Sequence, residues 1–337
     1  AKPEDLIEDF EEYARRMSKL KYYVSDDEDL GLNFFSDAGM IEAKRLLNDY
    51  NTVSCISTGF PVLDIQLQGG LRKGELTVIM ASTNVGKTSM LLNFAANFVK
   101  QGYRTLYICL DNLEGEFISR SVGCLLETNI SQGIDPGIAL DAVADEYQAK
   151  LKDKLWVKHF GPRELNKSKL ERYLDRLSSH LYELDKAAGK PEEECGVLDT
   201  IVIDYLDVML PESSAQEGWA AAEHLSQEIK AVLKSRELVG LSATQGGTEA
   251  MKADTLKLHM GQGYKSRFNA PDNIFGMSQD DAEKCSTPSA FRFGCLKARR
   301  PKVNYQIKFL FWKEKQVIRE VEDAKVYNMS ERQTLEG

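Results

Sequence analysis

The sequence predicts an α/β fold in which a mostly parallel, twisted sheet is covered by helices on both faces. From Thr52 onward, short apolar runs typical of strands alternate with longer runs typical of helices. Strands that alternate with helices favour a parallel sheet, because each crossover helix returns the chain to the same end of the sheet. The last two strand-like runs have no helix between them, so they predict an antiparallel hairpin at the sheet edge.

The N-terminal 50 residues predict helices. An apolar stripe at helical spacing runs along the otherwise charged segment 3–21 and consists of Leu6, Phe10, Tyr13, Met17 and Leu20. Acidic residues and glycine break this pattern at 24–39, and 40–50 predict a second short helix. An amphipathic helix of this kind can pack on its own domain or reach a groove on a neighbouring subunit.

The rest of the chain predicts one α/β domain. Strands are expected at 76–80, 104–110, 154–159, 199–204, 237–244, 272–278, 290–297 and 303–312. Helices are expected at 87–101, 115–127, 166–187 and 219–236, and a surface loop at 186–198. We therefore divide the chain into a helical extension (1–50), the α/β domain (51–325) and a C-terminal tail (326–337).

Composition narrows the possible functions. With 42% hydrophobic residues and a net charge of −9, the chain resembles a soluble globular protein without a global basic field toward nucleic acid or membrane. A narrow channel lined by a few basic groups remains possible. The apolar runs are far shorter than the roughly 20 residues of a membrane helix, and the acidic N-terminus argues against a secretory signal. The six cysteines lack metal-ligand spacing, which favours buried, reduced thiols in a cytoplasmic protein over a zinc site.

The segment between the first strand and the next helix resembles a phosphate-binding P-loop. Residues 81–88 read Ala-Ser-Thr-Asn-Val-Gly-Lys-Thr, so they match G-x-x-x-x-G-K-[ST] except at Ala81. In such a loop, backbone N–H groups coordinate anionic oxygens, the lysine contacts the terminal phosphates and the threonine hydroxyl binds Mg²⁺. The predicted ATP-binding residues are Ser82, Thr83, Asn84, Val85, Gly86, Lys87, Thr88 and Ser89. The alternative is an ordinary turn from strand to helix.

A second metal ligand is expected at Asp204, which follows the strand-like run Thr-Ile-Val-Ile. A carboxylate directly after a buried strand is costly without a cation nearby, so we favour a role with Thr88 in holding Mg²⁺ over a helix cap. Asp207, three residues later, is expected to face elsewhere.

Three carboxylates near the end of the strand at 104–110 are candidates for the base that polarises water. Asp111 ends the run, and Glu114 and Glu116 lie just beyond it. Ligands of parallel sheets gather at this end of the strands, which favours a catalytic role. Their alternative role is capping of the following helix and complementing its dipole.

Two further polar sites follow later strands. Gln245 ends the run GLSATQ and could sense the γ-phosphate, or it could be a plain loop amide. Lys297 and Arg299 share one side of an extended chain and suit an arginine finger that completes a neighbour's site. Alternatively, they are solvated charges that protect an edge strand.

Together these segments resemble the ATPase domain of DnaB-type replicative helicases, and the looser motifs resemble those of phage members. The stretch STGFPVLDIQLQGGLRKGELTVIMASTNVGKTSMLLNFA is similar to the entry of that domain, whose P-loop often begins with alanine. TIVIDYLDVM resembles its Walker B motif, LVGLSATQ its glutamine motif, and Lys297 with Arg299 its K-x-R finger. The matching segments span about 56–312 in the family's order.

The resemblance implies a RecA-like ATPase that uses ATP and Mg²⁺ and forms a ring, usually of six subunits, around single-stranded DNA. It implies that Lys87 and Thr88 bind phosphate and Mg²⁺, that Asp204 holds the metal, and that Gln245 couples nucleotide to DNA. Lys297 and Arg299 would act on the next subunit. Asp111 stands where the family has glutamate, so it would act through a water, or Glu114 or Glu116 would replace it.

Further implications concern partners. The 3–21 helix is similar to the linker helix that docks on an adjacent subunit, and the family's primase-interacting N-terminal domain is expected to be absent from this chain. A primase and other replisome proteins are expected partners, in the cytoplasm of a bacterium or a phage-infected host and away from membranes. Lys252, Lys265 and Arg267, in a basic loop at 248–272, are expected to contact the DNA backbone or to be solvated cations.

Two other functions fit the same residues. A recombinase or strand-annealing ATPase would form filaments on DNA without unwinding it. A nucleotide-gated regulatory module would bind ATP with negligible turnover, which only the Asp111 departure favours.

Overall fold

The computed structural model describes residues 32–52, 55–111, 114–129, 135–212, 219–246, 257, 268–299, 303–321 and 326–328. The chain divides into two compact units, residues 1–53 and 54–337. The described part of the first unit holds helix α1 (Asp37–Thr52), which confirms the helix expected at 40–50. Near its start, the Gly39 N–H donates to the Ser36 hydroxyl at 3.0 Å. The helix expected at 3–21 lies outside the described residues.

The second unit begins with strands and helices in alternation, as the sequence predicts. In chain order, its first elements are α2 (Pro61–Gln66), β1 (Leu76–Ala81), α3 (Lys87–Lys100), β2 (Thr105–Cys109), α4 (Glu114–Leu126), α5 (Pro136–Leu151), β3 (Leu155–His159) and α6 (Lys167–Ala187). They are followed by β4 (Thr200–Asp204), α7 (Trp219–Ser235), β5 (Val239–Gln245), β6 (Asn273–Ser278), α8 (Asp281–Cys285), β7 (Ser289–Lys297), β8 (Tyr305–Trp312), β9 (Val317–Glu320) and β10 (Tyr327–Asn328).

The described strands form one sheet in the order β10-β8-β7-β6-β1-β5-β4-β2-β3, with β9 also paired to β8. Strands β3, β2, β4, β5, β1 and β6 are parallel. The remaining pairs are antiparallel and include the expected β7–β8 hairpin. The α/β fold with a mostly parallel sheet is therefore confirmed, and the antiparallel part is larger than expected because β6 also pairs with β7 in this sense. Strand β10 takes in two residues of the predicted tail.

The central strands are buried on both faces, which explains their continuous apolar runs. In β1, Ile79 packs into a cluster with α3 and the aromatic residues of β6–β8. Its neighbour Val78 packs on the opposite face with α6 and α7. Successive strand residues point to opposite faces, so each parallel strand contributes to both cores. This double burial fixes the carboxyl ends of β1, β2, β4 and β5 at one edge of the sheet, where the predicted site residues lie.

Candidate nucleotide-binding site

The turn between β1 and α3 has the backbone geometry of an anion-binding loop. All six residues of β1 are buried, and α3 begins at Lys87 with Gly86 as its N-cap. Gly86 has φ +109°, a conformation that L-residues rarely adopt, and a Cβ there would lie 3.1 Å from the Phe311 ring. The tight turn aims the first-turn N–H groups of α3 out of the helix end, where anions bind.

A cavity of about 440 Å³ opens at this turn. Its lining residues are Thr83, Asn84, Gly86, Lys87, Thr88, Ser89, Asp111, Arg120, Asp204, Tyr205, Gln245, Phe311, Lys313 and Gln316. It lies at the carboxyl ends of the parallel strands, which is where such sheets bind ligands. The structure thus brings together most of the residues that the sequence selected from four separate segments.

The side chain of Lys87 is held over the P-loop by backbone carbonyls at the start of that loop. Its ammonium donates to the carbonyl oxygens of Ala81 at 2.9 Å and Ser82 at 3.1 Å. Burial lowers the pKa of Lys87, and the charges of Asp207 and Asp204 oppose this shift. Charge-assisted bonds to phosphate are stronger than those to neutral carbonyls, so an incoming phosphate can displace these two acceptors.

Thr88 and Asp204 form the pair that fits a magnesium ion. The Thr88 hydroxyl donates to Asp204 at 3.4 Å, and the Tyr107 hydroxyl donates to the other carboxylate oxygen at 3.0 Å. Asp204 is 2% exposed, and burial raises its pKa against the hydrogen bonds from Tyr107 and Thr88. A divalent cation would stabilise the ionised carboxylate, and Mg²⁺ prefers one or two protein oxygens completed by water and phosphate.

The three candidate bases are in different surroundings. Asp111 lines the cavity and its charge raises the pKa of Asp204. Glu116 forms an ion pair with Arg120 one turn along α4, and Glu114 is exposed in the first turn of that helix. Of the three carboxylates, Asp111 is therefore the one placed toward the cavity.

Gln245 contacts the P-loop directly. Its side-chain amide donates to the Thr83 hydroxyl at 2.9 Å, because Gln245 and Ala81 pair at the ends of neighbouring strands. Asp207, expected to face elsewhere, instead orients this strand end. Its carboxylate accepts from the Thr244 hydroxyl at 3.0 Å and the Gln245 N–H at 3.3 Å.

Lys297 and Arg299 lie near the amino ends of the parallel strands, opposite the ends that carry the cavity. Lys297 pairs in register with Ile274, which pairs with Val78, and Arg299 donates to Asp272 at 3.2 Å. The Asp272 N–H bonds the Leu76 carbonyl at the start of β1. Five residues of strand separate that point from Ala81, or about 17 Å along β1. Neither side chain therefore belongs to the cavity of its own chain.

Sequence reasoning missed several cavity residues. Arg120 carried a signal, since it is four residues after Glu116 on a predicted helix. The β8–β9 turn folds back over α3, and Gln316 accepts from the Ser89 hydroxyl at 2.7 Å. The same fold-back places Phe311 and Lys313 in the lining of the cavity. The predicted hairpin gave no sign of this fold-back.

The predicted DNA contacts Lys252, Lys265 and Arg267 lie outside the described residues.

The family described as DnaB-like helicase C terminal domain matches residues 55–245, more than half of the chain. The chain belongs to the DnaB-like helicases. That match begins before α2 and ends at Gln245, so it includes the P-loop, Asp111 and Asp204. The resemblance drawn from the sequence is confirmed.

Individual DnaB-like relatives are distant. The replicative DNA helicase DnaB of Pasteurella multocida (strain Pm70) is 26% identical over 207 residues, covering 61% of this chain and 42% of that protein. The DnaB-like replicative helicase of Enterobacteria phage T4 is 24% identical over 225 residues, covering 64% and 44%. The chain thus spans less than half the length of these relatives.

A solved structure of a DnaB-like replicative helicase, described together with its interactions with primase, superposes with a TM-score of 0.66 at 15% identity. The superposition covers 85% of this chain and 67% of that one. At this identity the likeness concerns the fold, which confirms the RecA-like architecture. In the described part of the chain, no helix is both long and apolar enough to cross a membrane.

Proposed function

We propose that this chain is the motor part of an ATP-dependent replicative DNA helicase that moves along single-stranded DNA as a ring. The observation that carries the proposal is the convergence of Lys87, Thr88, Asp204 and Gln245 on one cavity at the carboxyl edge of the sheet. Membership of the DnaB-like helicases supports the same activity.

In this proposal the P-loop residues 82–89 bind the phosphates of ATP, and Lys87 neutralises the terminal phosphates. Thr88 and Asp204 hold Mg²⁺, which when bound supplies Lewis-acid stabilisation of charge on the phosphate oxygens. Asp111 orients and deprotonates the attacking water, since of the three candidate carboxylates it is the one that lines the cavity. Gln245 transmits the nucleotide state, because it contacts Thr83 at the end of β5.

Arg299 belongs to the site of the next protomer. Its side chain is 61% exposed and contacts Asp272, which is bonded to Leu76 at the start of β1, about 17 Å along that strand from Ala81. An exposed cation that cannot reach its own phosphates can stabilise the transition state of a neighbour. This assignment, and with it a ring of about six subunits, is part of the proposal.

Partners and location follow the relatives. A solved DnaB-like relative is described with primase, which supports a primase as a partner here. The relatives named as replicative helicases support a place among replisome proteins in the cytoplasm of a bacterium or a phage-infected host. Lys252, Lys265 and Arg267 stay as predicted DNA contacts, and the division at 1–50, 51–325 and 326–337 stays a prediction.

The test is ATP hydrolysis by the purified chain with Mg²⁺, with and without single-stranded DNA, alongside native mass. The proposal requires stimulation by the DNA and a closed oligomer. Strand displacement on a forked substrate separates a helicase from a non-unwinding ATPase, and electron microscopy separates rings from filaments. Nucleotide binding without turnover, in the presence of DNA, would reject the motor function.

A further inference from the structure

A buried tyrosine on β2 reaches the candidate metal ligand from outside the lining of the cavity. Tyr107 is 0% exposed, and its hydroxyl donates to Oδ2 of Asp204 at 3.0 Å. Asp204 ends the neighbouring strand β4 and pairs in register with Cys109, two residues past Tyr107. Two residues of strand span about 6.6 Å, so a side chain as long as tyrosine can bridge this offset by leaning along the strand.

The ring of Tyr107 is held in place by α4. Its centroid lies 4.5 Å from that of Phe117, with the two ring planes at 43°, and Phe117 is itself buried. Such aromatic pairs are stabilising, and a close-packed core leaves little room for a second rotamer. A buried phenol also needs an acceptor, because an unsatisfied hydroxyl in the core is costly. Packing and hydrogen bonding therefore both keep this hydroxyl at Asp204.

The two oxygens of the Asp204 carboxylate have different partners. Oδ1 accepts from the hydroxyl of Thr88, which lines the cavity, whereas Oδ2 accepts from Tyr107. A cation held by both oxygens would require Oδ2 to turn toward the cavity, at the cost of the bond to Tyr107. Ca²⁺ accepts carboxylates through one or both oxygens in a flexible shell, whereas Mg²⁺ demands near-octahedral geometry, for which the two-oxygen grip is too narrow. A carboxylate fixed in this way therefore suits Mg²⁺ better than Ca²⁺.

We propose that Tyr107 is a positioning residue that sets the metal preference of the nucleotide site. By holding Oδ2 of Asp204, it leaves Oδ1, beside Thr88, as the oxygen offered to the cation, and so favours Mg²⁺ over Ca²⁺. Tyr107 is not among the residues that line the cavity, so it acts through Asp204. The inference rests on the proposed function for the nucleotide and its metal, while the hydrogen bond is a property of the single chain.

The test uses Tyr107→Phe in the full chain, which removes the hydroxyl and keeps the ring against Phe117. Tyr147→Phe on α5 is the matched control, because it removes another tyrosine hydroxyl, which donates to the Leu125 carbonyl at 3.1 Å outside the cavity. Binding of fluorescent ADP is measured at equilibrium while free Mg²⁺ or Ca²⁺ is titrated. The ratio of the two half-saturating metal concentrations is compared among the variants, so that the affinity of the nucleotide itself for each ion cancels.

We expect Tyr107→Phe to shift this ratio about tenfold toward Ca²⁺, the effect of one hydrogen bond to a charged group, and Tyr147→Phe to match the wild type. Urea unfolding of each variant measures stability separately, since a tyrosine that only packs the core would lower stability and leave the ratio unchanged.

An unchanged ratio for Tyr107→Phe, or an equal shift in the control, would overturn the proposal, as would nucleotide binding that responds to neither ion. A wild type that binds the nucleotide with Mg²⁺ but does not hydrolyse ATP in the presence of DNA would instead reject the proposed motor function. The ratio would then still decide the role of Tyr107.

Discussion

The side-chain amide of Gln245 donates a 2.9 Å hydrogen bond to the hydroxyl of Thr83, so the end of β5 touches the P-loop. The segment that follows Gln245 includes 248–272, where the sequence places the DNA contacts. A change at the phosphates can therefore move the start of that segment through one bond.

Gln245→Ala should uncouple hydrolysis from DNA. We expect ATP affinity within about threefold of the wild type and a loss of about tenfold in stimulation by single-stranded DNA, the value of one hydrogen bond of about 1.4 kcal/mol. Steady-state hydrolysis with and without DNA measures both. Thr83→Val should give the same loss, and the double variant should be no worse than either, because one bond cannot be removed twice. Additive losses would contradict direct coupling.

Lys87→Ala should lower kcat by at least about 100-fold, because it removes the cation that balances charge on the transferred phosphate. Steady-state hydrolysis measures kcat, and equilibrium binding of a fluorescent nucleotide measures nucleotide affinity separately. Lys100→Ala, at the other end of α3, is the matched control and should keep activity. Normal turnover by Lys87→Ala would remove the basis of the assigned site.

Asp111→Asn should separate binding from chemistry. The amide keeps the size of the side chain but cannot accept a proton, so we expect unchanged ATP binding and a fall of about 10² or more in kcat. Glu116→Gln should cost far less, since Glu116 is paired with Arg120. Single-turnover hydrolysis by both variants decides which carboxylate acts. A larger effect at Glu116 would transfer the role to that residue.

Asp185 should make folding stability depend on pH in the acid range. This carboxylate, 2% exposed, accepts hydrogen bonds from Arg104, Lys190 and the Gly196 N–H. The Arg104 guanidinium holds the pKa of Asp185 below its usual range. A lowered pKa means that the stabilisation is complete above the unfolded pKa of about 4 and is lost as pH falls toward the folded value.

Asp185→Asn should therefore cost about 3 kcal/mol at pH 7, because it leaves a buried guanidinium without its carboxylate. The difference from the wild type should shrink below pH 4, as urea unfolding at pH 7, 5 and 3 can measure. Asp175→Asn is the control and should cost under about 1 kcal/mol, because Asp175 on α6 is 65% exposed where it pairs with Arg236. A pH-independent difference would contradict the assigned cause.

The fold was largely predictable from the sequence because the strands are buried on both faces. Continuous apolar runs such as 199–204 carry that signal, and the described boundary, Thr200–Asp204, differs by one residue. The placement of P-loop residues and Asp204 at one cavity was predictable because phosphate and metal binding require particular residue types at fixed spacing. Helix α5 and strand β9 were missed: α5 has a poorly defined apolar face, and β9 is only four residues long.

Contacts distant in sequence were not predictable. Gln316 reaches Ser89 across 227 positions, and Asp207 binds Thr244 across 37. Both depend on how a turn folds back onto a neighbouring element, which local patterns do not encode. For the same reason, the sequence did not predict that the Lys297 ammonium donates to the backbone carbonyls of Phe268, Asn269 and Pro271.

The separation of the P-loop and Arg299 along β1 restricts how copies of this chain can complete one another. In an interface with two-fold symmetry, residue i contacts residue j and j contacts i, so two copies could complete each other only if the loop and Arg299 lay in one shared patch. If Arg299 completes a neighbour's site from a separate surface, as we propose, the contact is head-to-tail and repeats from copy to copy. In a closed ring of such contacts, every P-loop faces the Arg299 of a neighbour. In an open series, the P-loop at one end faces no Arg299, and the Arg299 at the other end faces no P-loop.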